Sequence, residues 1–209
     1  MPKSDSALTG IKVVAFEQVA AGPFCSELLA DMGADVIKIE RPGTGDTIRS
    51  WDTAVKGLSS GHVWLNRNKR SLTLDVKHES GLKIVLQLIK EADVFLENFA
   101  PGVTDRLGIG YEALKSDHPE LIYCSLSGYG QDGPFRDRKA FDLLIQGEAG
   151  LIATTGYPDR PAKVGPPVVD IAAGMYSAIG IVLALYQRER TNKGQLVDIS
   201  MFDSLLSWL

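Results

Sequence analysis

The sequence is poor in the residues that bind metals or form crosslinks: 209 residues carry two cysteines and three histidines. Cys25 and Cys124 are far apart and show no CxxC or metal-ligand spacing, which argues against a disulfide framework or a zinc site and fits a reducing cytoplasm. His62, His78 and His118 are scattered with no carboxylate or cysteine at ligand spacing, so they read as surface residues and no metal is expected. The opening segment MPKSDSALTG lacks the apolar stretch of a signal peptide. The longest apolar run, residues 171–185, is shorter than the roughly 18 to 20 residues that span a bilayer, and Gly174 and Gly180 interrupt it. It reads as a buried core helix, and no membrane partner is expected. An excess of positive charge is also missing: the net charge is −4 and the pI about 5.4. That excludes a broad nucleic-acid surface, so an anionic ligand would have to be held locally.

Two common catalytic signatures are absent as well. The turn VAAGPF (19–24) lacks the GxGxxG that admits a dinucleotide pyrophosphate, and SLSGYG, with Ser125 and Ser127, is not the GxSxG elbow of a serine hydrolase.

The composition, 44% hydrophobic and 23% charged, is that of a globular chain with one sizeable core and one large domain. Residues 11–16 (IKVVAF) form a short β-branched run. Residues 24–32 have helical character, Gly33 is placed to stop that helix, and 35–40 (DVIKIE) read as a second strand. This βαβ pattern recurs. Residues 71–76 read as a strand, Leu82, Val85, Leu86 and Ile89 fall on one helical face, and 94–99 read as the next strand. A strand at 121–127, a helix from Ile171 to about Arg190 and a late strand at 195–201 complete the series. Alternating strands and helices predict an α/β fold with a mostly parallel sheet. The polar connection 41–62 is long enough to suggest a functional loop.

Several positions invite chemistry, each with a plainer alternative. The first βα turn lies where doubly wound sheets bind ligands and Glu40 ends the next strand, but Pro23 near a helix start is an equally good structural account. Arg41 and the turn NRNKRS, with Arg67, Lys69 and Arg70, would suit phosphates or form a solvated basic turn. Asp170, in VGPPVVDIAAG, reads locally as the N-cap of the apolar helix. The same position at a strand-to-helix corner would keep its carboxylate ionised near neutral pH, as a nucleophile requires. The two readings are compatible.

Taken in order, LTGIKVVAFEQVAAGP, DMGADVIKIERPGTGD, NRNKRSLTLDVK, ADVFLENFAPGVTDRLG, SLSGYGQDGP, AATTGYPDRPAKVGPPVVD and KGQLVDISMFDSLL resemble the family III CoA-transferases, the group that also contains the α-methylacyl-CoA racemases. The likeness runs over nearly the whole chain. It implies an open Rossmann-like α/β domain flanked by helices, with coenzyme A as the acyl carrier and no metal. It also implies a small carboxylic acid as second substrate and a homodimer of interlocked subunits. Asp170 matches the family nucleophile, which forms aspartyl anhydride and aspartyl-CoA thioester intermediates. The CoA-contacting positions carried over by motif are Ala20, Ala21, Arg41, Leu74, Asp75, Val76 and Lys77. Further along they are Asn98, Phe99, Ala100, Arg106, Lys139, Ala140, Phe141 and Asp142. The racemases carry a histidine where this chain has Phe141, and a phenylalanine cannot exchange a proton with an α-carbon. Transfer is therefore expected over racemisation. Backbone N–H groups at the start of the Asp170 helix are expected to stabilise the oxyanion, and the GQDGP turn to cover the site. The resemblance further implies that residues 1–209 are the N-terminal part of the large domain, without the small domain. This raises the alternative of a truncated fragment that binds CoA without turnover.

Overall fold

Five parallel pairings build a single sheet of six strands in the computed structural model, which describes residues 6–209. The strands are β1 (Lys12–Phe16), β2 (Asp35–Glu40), β3 (Arg70–Thr73), β4 (Val94–Glu97), β5 (Ile122–Ser127) and β8 (Leu196–Ser200). Their spatial order is β3-β2-β1-β4-β5-β8, with register such as Val13 opposite Val36 and Val94. That is the order of doubly wound sheets. A two-stranded antiparallel hairpin, β6 (Gly156–Tyr157) and β7 (Arg160–Pro161), stands apart.

Alternation along the central strands explains why they are mostly apolar, with Glu97, Ser125 and Ser127 the polar residues near their C-terminal ends. On one face Val13, Ala15, Leu96 and Cys124 pack against Cys25 and Leu29 of α1 (Ala21–Asp31) and Ile181 and Leu185 of α8 (Val168–Thr191). On the other, Val14, Phe16, Phe95 and Tyr123 meet Val85 and Ile89 of α3 (Glu79–Lys90). A strand covered on both faces needs apolar residues at most of its positions.

The helix α1 ends at Asp31 and Gly33, at φ 102°, turns the chain back toward β2. It begins at Ala21, so Pro23 is its third residue rather than its first. The close packing of α1 and α8 depends on Gly174, where an added Cβ would come within 2.8 Å of the Ala21 carbonyl oxygen.

Three boundaries differ from the sequence reading. β3 stops at Thr73, because Leu74 and Val76 turn off the sheet onto the Phe16 cluster and Lys77 leads into α3. α8 is 24 residues long, which by length and composition would cross a bilayer, so the expectation that the apolar stretch is too short does not hold. Half of its most apolar window is buried in the fold, and Met175, Ile179, Leu183 and Tyr186 are exposed. The long connection 41–62 is also structured, with a 3-10 turn at Thr47–Ser50 and the start of α2 (Ser60–Leu65).

Candidate functional site

After β1 the chain continues into α1 on one face of the sheet. After β4 it continues into the short helices α4 (Val103–Arg106) and α5 (Tyr111–Leu114); Ile109 between them and Leu114 at the end of α5 pack on the other face. Where neighbouring parallel strands send their connections to opposite faces, a crevice opens at their C-terminal ends. Here a reciprocal pair spans it: the Gln18 N–H donates to Asn98 Oδ1 at 2.8 Å, and Asn98 Nδ2 donates to the Gln18 carbonyl at 2.9 Å. Asn98 is thereby committed to shaping the crevice.

Two cavities meet at Gln18 and Phe99. The first, about 500 Å³, is walled by Leu74, Asp75, Val76 and Lys77 on one side and Arg41, Pro42 and Thr44 on the other. The second, about 450 Å³, is lined by Ala20, Ala21, Asn98, Phe99, Ala100, Lys139, Ala140, Phe141, Asp142 and Asp170. Of the CoA-contacting positions carried over by motif, Arg106 alone stays outside these walls: it is exposed on α4, behind Val103 and Leu107. Arg41 and Lys77 are exposed at the first cavity and have no acidic partner among the described residues.

A third cavity, about 520 Å³, adjoins the second from the other side and shares Val19, Ala20, Phe141, Asp142 and Asp170 with it. Its remaining wall is mostly apolar, from Ile48, Trp51, Trp64, Leu65 and Pro167, with Lys163 at its edge. Asp170 thus stands between a polar-mouthed groove and an apolar chamber.

The local account of Asp170 needs correction. It is the third residue of α8 and follows an irregular segment, not a strand, and its side chain caps nothing. The capping carboxylate comes from Asp142, at the start of α6 (Asp142–Glu148). Asp142 Oδ2 accepts the Val169 N–H at 2.8 Å and the Asp170 N–H at 3.4 Å, while Gln146 Nε2 donates to its Oδ1 at 2.5 Å. Burial, reinforced by the charge of Asp142, pushes the Asp170 carboxyl up to about 7. It is therefore only partly ionised at neutral pH, contrary to the expectation of a helix-stabilised anion.

The N–H groups at the start of α8 are also spoken for. Val168 donates to Pro166, Val169 and Asp170 to Asp142, and Ile171 to Pro167. They cannot serve as an oxyanion hole. The start of α1 differs: no side chain caps it, and its Ala20 and Ala21 face the second cavity.

Of the two readings of NRNKRS the solvated basic turn is the nearer, since Arg67 and Arg70 are exposed, although both are paired. Arg67 pairs with Asp31 and Glu27, Arg70 with Asp35, and Lys69 is buried against Glu17, so the turn is consumed by internal ion pairs. The GQDGP turn does not cover Asp170. Gln131 bonds Asp198 and Ser125, and Gly130 and Asp132 border a separate hollow beside Asp198. No cluster of potential metal ligands occurs among the described residues. The sequence reading missed Gln18, Val19 and Asp46. Asp46 lies inside the long connection, and only folding carries it back to the first turn.

The model of the family described as CoA-transferase family III matches residues 8–209. An acyl-CoA transferase of Fusarium pseudograminearum is 44% identical over 216 residues, covering 99% of this chain and 47% of that protein. A formyl-CoA:oxalate CoA-transferase of Afipia carboxidovorans is 44% identical over 203 residues, covering 96% of this chain and 48% of its own length. Among solved structures, a CAIB/BAIF family protein from Brucella suis superposes with a TM-score of 0.92 at 43% identity, covering 97% of this chain and 55% of that one. The chain spans about half the length of the curated relatives it matches. By fold, by a match along almost its whole length and by the order of its strands, the chain belongs to family III of the CoA-transferases.

Proposed function

We propose that this chain carries the CoA groove and the nucleophile of an enzyme that moves CoA from an acyl-CoA to a carboxylic acid. The observation that supports this best is the place of Asp170 in the wall shared by two cavities. One leads to Phe99 and onward to the free cations Arg41 and Lys77, suited to an adenine and its phosphates. The other is an apolar chamber able to take an acyl group. Lys139 adds a third cation near the second cavity.

The Asp170 carboxylate attacks the thioester carbonyl; the C–S bond breaks and CoA leaves as thiolate, giving an aspartyl anhydride. The thiolate returns to the aspartyl carbonyl, expels the first acid as carboxylate and leaves an aspartyl-CoA thioester. An incoming carboxylate displaces the thiolate to form a second anhydride, and the thiolate then takes the new acyl group and releases Asp170. Acid-for-acid exchange of a thioester is near neutral in free energy, so the covalent route divides one kinetic barrier into smaller ones. Developing negative charge on the carbonyl oxygen would meet the uncapped N-terminus of α1, where Ala21 and Gly22 present first-turn N–H groups.

The relatives are named for formyl-CoA:oxalate, acetyl-CoA:oxalate and succinyl-CoA:D-citramalate exchange, which supports small carboxylic acids as the substrate class. A homodimer and a cytoplasmic location belong to the same proposal; the two free, buried cysteines fit a reducing compartment. Racemisation has no support at the site, since Phe141 brings no titratable group to Asp170.

A second reading, CoA binding without turnover, is favoured by exposure at the mouth: Phe141 is 65% and Trp51 59% exposed. Anhydride chemistry requires water to be excluded. Titration with CoA beside a transfer assay separates the two: binding with exchange supports the enzyme, and binding without exchange supports the inert alternative. Treatment with acyl-CoA followed by hydroxylamine should mark the peptide bearing Asp170. An unmarked peptide in an exchanging preparation would overturn the covalent route.

A further inference from the structure

We propose that Asp46 and Lys38 are positioning residues for this transfer, holding the turn between β1 and α1 in the one conformation that presents Ala20 and Ala21 to Asp170. The proposal rests on the reading of Asp170 given above.

Val19, the pivot of that turn, has φ 67°, a left-handed conformation that a β-branched residue strongly disfavours. Something outside the turn must impose it. The Val19 N–H is held by both carboxylate oxygens of Asp46, at 3.0 and 3.2 Å, although Asp46 is 27 residues away in sequence. Asp46 is itself fixed on every side. Its own N–H donates to Glu40 Oε2 at 3.0 Å, its Oδ1 caps the following turn at the Ile48 N–H, and its charge is met by Lys38 Nζ at 2.6 Å.

Lys38 lies in the second strand with 1% of its surface exposed, donating also to Asn66 Oδ1 at 2.9 Å. A lysine inside a sheet is costly unless its partners are tightly arranged. Lys69 anchors the other end of the turn, donating to Glu17 Oε1 at 3.0 Å and to the Pro23 carbonyl at 2.8 Å. Neither lysine lines a cavity beside Asp170, whereas Val19 and Ala20 form the wall on both of its sides. Asp46 also lines the first cavity, but toward Asp170 the cluster acts through the backbone of Val19 and Ala20.

A cluster serving only the stability of the fold and one that sets the Val19 conformation respond differently to glycine. Replacing the ion pair by apolar residues of similar size, Lys38→Met with Asp46→Leu, releases the Val19 N–H without leaving a buried charge. In the chain carrying this pair, acylation of Asp170 by acetyl-CoA or succinyl-CoA, followed in a single turnover by mass spectrometry, is expected to slow at least tenfold. CoA affinity by calorimetry should change less than the acylation rate does. Adding Val19→Gly, which takes positive φ without strain, is expected to restore most of the rate. Acylation at the unmodified rate in the paired variant, or failure of Val19→Gly to restore it while circular dichroism shows a native fold, overturns the proposal. If the paired variant does not fold, Val19→Pro decides: unable to take positive φ, it must slow acylation at least tenfold while circular dichroism shows a native fold, and acylation at the unmodified rate overturns the proposal. If the unmodified chain is not acylated by either thioester, the reading of Asp170 fails and takes this proposal with it.

Discussion

Asp142 Oδ2 sits 3.4 Å from the backbone nitrogen of Asp170, so one aspartate caps the helix on which the other is displayed. The arrangement gives Asp142 two effects. It occupies the helix N-terminus that would have stabilised an Asp170 anion, and it adds a like charge that disfavours that anion.

Asp142→Asn separates these effects, because an asparagine oxygen can still accept the Val169 N–H. Loss of the neighbouring charge should lower the Asp170 pKa from about 7, but only partway to the ordinary value, since burial is the larger cause. A carboxylate nucleophile works ionised, so the acid limb of the acylation rate should move to lower pH. A pH profile of single-turnover acylation measures this, and an unmoved limb would refute the electrostatic coupling.

Asp170→Asn should abolish acylation while preserving CoA binding, measured by mass spectrometry and calorimetry. Its effect on stability follows from the raised pKa. The folded carboxyl titrates near 7 and an unfolded aspartate near about 3.9. Its contribution is therefore fully present below about pH 4 and lost as pH rises through 7. Denaturant midpoints should show the variant gaining on the unmodified chain between pH 5 and pH 8.

Glu97 should behave alike, burial again being the largest cause. Burial raises its carboxyl to about 7 even though Ser125 Oγ and the Phe99 N–H both donate to it. Glu97→Gln should thus be favoured at pH 8 relative to pH 5, in the same denaturant titration. A variant no better placed at pH 8 than at pH 5 would count against a buried, protonated Glu97.

Arg41→Ala and Lys77→Ala should each weaken CoA binding roughly tenfold, about 1.4 kcal/mol, and flatten its salt dependence. Calorimetry at two ionic strengths tests this. Equal affinity in both variants and the unmodified chain would remove the first cavity from the CoA path.

Gly174→Ala should lower stability by about 1–3 kcal/mol, because the new Cβ meets the Ala21 carbonyl oxygen at 2.8 Å and Phe24 at 3.0 Å. Equilibrium unfolding measures it. Since α1 and α8 carry the two sides of the second cavity, the same variant should also weaken CoA binding.

Strand and helix periodicity was legible where both faces of an element are covered. Residues 13–16 (VVAF) and Val36, Ile37 and Ile39 are apolar because the sheet is covered on both sides, and Leu82, Val85, Leu86 and Ile89 mark the buried face of α3. The end of β3 was not legible: Leu74 and Val76 keep the alternation of a strand yet leave the sheet to pack beside Phe16. The basic turn misled for a similar reason. Its charges are answered by Asp31, Asp35, Glu27 and Glu17, each from another element.

By itself the sequence determined the alternating α/β pattern, the family and the set of motifs that line the crevice, because these depend on local periodicity and on ordered short matches. Which carboxylate caps α8, how strongly Asp170 holds its proton and what bends Val19 were decided only by tertiary structure. Those properties belong to pairs, Asp142 with Asp170 and Asp46 with Val19, whose members lie 28 and 27 residues apart in the chain. Burial and like charge act over a few ångströms of space, and a local stretch of sequence carries no record of that distance.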